Sequence, residues 1–68
     1  MISWKNNMLL CGNAKLMSVV QITTGVYSAS ALNRSYTFGA MSMDSARVIG
    51  IKWLVQEIKM LLVELEKT

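Results

Sequence analysis

The sequence contains no histidine and only one cysteine, and each shortage removes a class of function. Without histidine, the side chain that most often serves as a general base near neutral pH is missing. The lone thiol, Cys11, therefore has no imidazole to activate it as a nucleophile. A disulfide within the chain is impossible, and zinc would lack its usual thiolate and imidazole ligands. Ser18, Ser28 and Ser30 have no activating partner either, and the four acids are dispersed. Glu57 and Glu64 stand seven residues apart on one helical face, where solvated helix charges account for them. No enzyme, metal or cofactor is expected, and Cys11 is expected to act as a small buried hydrophobe.

Charge is also scarce, at 16% of residues with a net +3. Lys5, Lys15, Arg34, Arg47, Lys52, Lys59 and Lys67 are scattered and never adjacent. That balance permits weak attraction to nucleic acid without defining a binding stripe. Lys5, Lys15, Arg34 and Arg47 are the candidate phosphate contacts, if folding brings them to one face. Tyr36 beside Arg34 could stack on a base.

Long apolar runs are missing too. A membrane span needs about 18–20 apolar residues, and the best stretch, Val48–Leu65, is interrupted by Lys52, Glu57, Lys59 and Glu64. Met8–Cys11 is too short for the apolar region of a secretory signal. With a lone thiol and no export signal, a reducing setting is expected, the cytoplasm (a host's, if a phage encodes the chain).

What is present is apolar mass, 53% of a 68-residue chain, enough for one small domain over residues 1–68. Such a chain buries only about 60% of the surface that its unfolded form exposes. Disulfides, metals and oligomerisation are the common supports at this size. With the first two excluded, association with a second copy or another protein is the support expected here.

Short apolar segments separated by turn residues read as an antiparallel meander of three to four strands. Ile2–Trp4, Met8–Cys11, Lys15–Thr23, Val26–Leu32 and Tyr36–Met41 are the candidate segments. Lys5–Asn7, Gly12–Ala14, Thr24–Gly25 and Asn33–Ser35 are the turns between them. After residue 41 the apolar period changes to that of a helix, expected over about 45–67 with Asp44 or Ser45 as its cap. The expected fold is therefore α+β, a meander packed on one long C-terminal helix.

On a helical wheel, Ile51, Leu54, Val55, Ile58, Leu61, Leu62 and Leu65 form the stripe expected to face the sheet. Ile49, Trp53, Met60 and Val63 lie outside it. The first three form a surplus apolar ridge, with Val63 uncovered on the polar side, and together they are the expected protein interface for a homodimer or for another protein.

The segment GNAKL…GVYSASALNRSYTFGAMSMDSARVIG, residues 12–50, resembles two groups of proteins. One is the small ββββα proteins encoded by phages and other mobile elements, some of which inhibit host defence systems. The other is the sheet-plus-helix DNA-binding domains of plant APETALA-type regulators and integrase arms. There an aromatic and an alanine precede a hairpin, and a glycine then leads into a helix with alanine on its buried side; Tyr27, Ala29, Gly39 and Ala46 occupy similar places here. Ser28 and Ser30 stand where that second group carries DNA-contacting arginines. The resemblance implies the fold, and either a steric inhibitor or a nucleic-acid accessory protein. A structural subunit of a larger assembly is a further alternative.

Overall fold

Four connections of two residues each fold the first 39 residues into consecutive hairpins. The computed structural model describes residues 1–68, with β1 Ile2–Lys5, β2 Met8–Cys11, β3 Ala14–Thr23, β4 Val26–Ala31, β5 Arg34–Gly39 and α1 Met43–Glu66. The strands pair in chain order β1-β2-β3-β4-β5, all antiparallel. The sheet thus has five strands where three to four were expected, because ISWK and MLLC each complete a short strand of their own. Two-residue hairpins need positive φ in the turn, and Asn6, Gly12, Gly25, Leu32 and Asn33 supply it. The last turn falls at Leu32–Asn33, earlier than the expected Asn33–Ser35, so β5 begins already at Arg34.

Because side chains alternate across a strand, the register sets a single inner face. Trp4 opposes Leu9, Leu9 opposes Met17, Val19 opposes Ala29, and Tyr27 opposes Phe38. These residues, with Ala46 and Leu54 from the helix, make the core; Trp4 is its half-buried margin.

Helix α1 starts at Met43, two residues before the expected start. Ser42, in extended conformation, is the cap, and its hydroxyl accepts a 3.2 Å hydrogen bond from the Ser45 N–H. Asp44, expected as a possible cap, lies instead in the first turn, where its charge favours the helix dipole.

The helix lies over β3, β4 and β5 and presents to them the line Ala46, Gly50, Leu54. This corrects the expected core stripe. Of its seven members only Leu54 is buried and Ile51 half-buried; Val55, Ile58, Leu61, Leu62 and Leu65 are exposed. The cause is steric. Met17 and Val19 rise fully buried from β3, so the helix settles where its own side chains are smallest. A Cβ at Gly50 would sit 3.2 Å from both Met17 Cε and Val19 Cγ2.

Helix and sheet also differ in reach. Twenty-four residues make a rod of about 36 Å, within a molecule 42 Å in its longest dimension. From Ile58 onward every residue is exposed. Only nine residues of 68 are buried in total, a small core for the chain's apolar content.

The close approach at Gly50 carries a prediction. Gly50→Val should destabilise the fold by about 2 kcal/mol in urea unfolding, since overpacking outweighs the better helix propensity of valine. Joint replacement of Val19 by alanine should recover much of that loss.

Candidate interaction surface

Glu57 is the last helix position the sheet supports. Its side chain, 14% exposed, accepts a 3.0 Å hydrogen bond from Arg34 Nη1, tying β5 to the helix where the sheet stops. Beyond that point the helix runs on with Ile58, Met60, Leu61, Leu62, Val63 and Leu65 all exposed. Between this overhang and the β4–β5 turn lies a groove of about 420 Å³, lined by Leu32, Arg34, Glu57, Met60, Leu61 and Glu64. Its walls are leucine and methionine, and its rim is charged.

The expected interface of Ile49, Trp53, Met60 and Val63 is divided by this geometry. Ile49 and Trp53 belong to the margin of the core. Trp53 stacks on Tyr36 with ring centroids 6.1 Å apart, and Tyr36 stacks on Phe38 at 5.4 Å. The protein's own fifth strand therefore covers much of the indole. Met60 and Val63 remain uncovered. Leu61, which the wheel placed in the sheet-facing stripe, and Leu32, from the β4–β5 turn, join Met60 in the groove. Only the end point of the sheet identifies them, and that is invisible to helical periodicity.

The four candidate phosphate contacts do not form one patch. Arg47 is bound to the first hairpin: its Nη2 donates to the Asn6 carbonyl at 2.9 Å, and its guanidinium lies 4.9 Å from the centre of the Trp4 ring. Arg34 is paired with Glu57. Lys5 and Lys15 are exposed and make no ion pair.

The sheet face away from the helix is largely uncharged. Ser18, Ser30 and Ser35 line up across β3, β4 and β5, with Val20, Ser28 and Thr37 in the next row. A shallow hollow of about 460 Å³ at the end of this face takes in Lys15 and those first three serines. Cys11, expected to be buried, is exposed at the end of β2. It falls at a short edge hairpin that the helix backbone does not overlie. No cluster of three or more histidine, cysteine, aspartate or glutamate side chains could hold a metal. No helix is long and apolar enough to cross a membrane.

Arg47 therefore has a structural assignment that can be tested. Arg47→Lys should lose the guanidinium's place over the Trp4 ring and weaken the bond to Asn6, costing about 1 kcal/mol. The change should raise amide exchange in β1 and β2 while leaving β4 and β5 unchanged. Comparisons with protein-family models, curated proteins and solved structures give no match to this chain.

Proposed function

We propose that the chain is a small non-enzymatic binding protein that engages another protein through the overhanging half of α1 and the groove beneath it. The observation that carries this reading is the run of uncovered apolar side chains after Glu57. Soluble proteins seldom leave such a run contiguous unless it meets a partner. Met60 and Leu61 are the anchors; each contributes roughly 1.5–3 kcal/mol when a partner covers it fully. Methionine adapts its shape to an irregular surface and is enriched at interface cores. Arg34 and Glu64 form the polar rim of the groove.

The action that follows is steric: the protein occupies a surface its partner needs for something else. Some of the small ββββα proteins of phages and mobile elements that residues 12–50 resemble act in that way. A protein partner is favoured over nucleic acid because Arg34 and Arg47 already bond within the chain.

The test is site-specific photo-crosslinking in cells of the source organism. A crosslinker at Met60 should yield a discrete adduct with another protein, and Leu61→Arg should abolish it. A crosslinker at Val20, on the opposite sheet face, should yield none. An adduct from Val20 with none from Met60 would move the contact surface to the sheet and overturn the proposal.

A further inference from the structure

Along α1, Val48, Ile51, Val55, Ile58, Leu62 and Leu65 recur at steps of three, four, three, four and three. That is the spacing of a heptad seam, in which alternate steps of three and four keep one line of side chains facing a second helix. The seam lies about 110° around the helix from the sheet-facing side, at 100° per residue. It is therefore a different surface from the Leu54 face that meets the sheet, the two meeting at Ile51, which is half-buried at the margin of the core. Val48 is 54% exposed, Leu62 52% and Leu65 61%. Met60 lies on nearly the opposite side of the helix from the seam, so a partner in the seam leaves it accessible.

We propose that a second copy of this chain occupies the seam, with the two helices antiparallel. The first argument is self-complementarity. With a two-fold axis passing between Gln56 and Glu57, Val48 meets the partner's Leu65, Ile51 meets the partner's Leu62, and Val55 meets the partner's Ile58. All six positions of both copies are then used and none is left over. Each layer pairs a β-branched residue with leucine or isoleucine, which holds the volume per layer nearly constant.

Area gives the second argument. At the observed exposures, complete burial of the six seam positions in two copies would remove on the order of 1,000 Å², about what a specific interface needs.

The third argument fixes the direction. A parallel pair would set Arg47 against the partner's Lys52 and leave both overhangs together beyond both sheets. In the antiparallel pair each overhang lies beside the sheet-backed half of the other helix. Lys52 then lies nearer the partner's Lys59 than its Glu66, so charge opposes association slightly and does not drive it. Apolar burial drives it, and added salt does not weaken it.

The experiment is sedimentation velocity on the purified chain from low-micromolar to submillimolar concentration, in low and high salt. The expected result is a dimer whose dissociation constant rises about thirtyfold or more in Ile58→Arg. Gln56→Arg, the same charge on a different side of the helix, should dimerise like the parent. Circular dichroism confirms that each variant is folded, and Leu62→Arg gives a second probe should Ile58→Arg fail that check.

In a Cys11→Ser background, mixing Ile51→Cys with Leu62→Cys should give a mixed disulfide, whereas Leu62→Cys alone should not crosslink to itself. A folded monomer at submillimolar concentration, or a dimer indifferent to both arginine variants, overturns the proposal. Efficient self-crosslinking of Leu62→Cys overturns the antiparallel arrangement. The photo-crosslinking result at Met60 is read independently, so failure here is distinguishable from failure of the protein-binding reading.

Discussion

The close approach of α1 to β3 at Gly50 governs the rest of the molecule. Met17 and Val19 rise from the sheet with no solvent contact, and the helix meets them with Ala46 and Gly50, its smallest side chains. A larger residue at either helix position would lift the rod off the sheet and open voids, which close-packed interiors do not tolerate cheaply. Once this line is fixed, the rotation of the helix is fixed, and so is the set of side chains it turns outward. The most apolar side of α1 is left outside because a different side fits.

The second consequence is one of length. Five strands joined by two-residue turns make a sheet that supports the helix only as far as Glu57, where Arg34 ties the two layers together. No side chain of the overhang is buried against the rest of the molecule. Isolated helical segments shorter than about 12–15 residues are marginal in water, so this half gains most from a partner. Its two apolar sides point in different directions. One carries the heptad seam, suited to an identical helix. The other carries Met60 and the groove floored by Leu32 and Leu61, suited to a foreign surface.

Much of this was legible in the residues. The segments ISW and MLLC, the turn residues Asn6, Gly12 and Gly25, and the change of period after residue 41 all mark elements that formed, within a few residues of where they were expected. Cap choice was less legible, since Ser42, Asp44 and Ser45 are all good N-cap residues and only backbone geometry selects Ser42. The face of the helix was misread for a physical reason. Hydrophobic periodicity finds the richest stripe, while contact with a bulky β3 selects the smallest. Trp53 is half-buried where the wheel left it uncovered, because its stacking on Tyr36 depends on where β5 runs, which the helix sequence does not record.

The account stands on the claim that the uncovered half of α1 is a contact surface that partners order. Amide hydrogen exchange, followed residue by residue against protein concentration, tests this most directly. Residues 46–54, held by the sheet, should be protected at every concentration. Residues 58–66 should exchange almost freely in dilute solution and become protected as the protein is concentrated. Protection of 58–66 that does not change with dilution would mean that this half needs no partner, and would contradict the account.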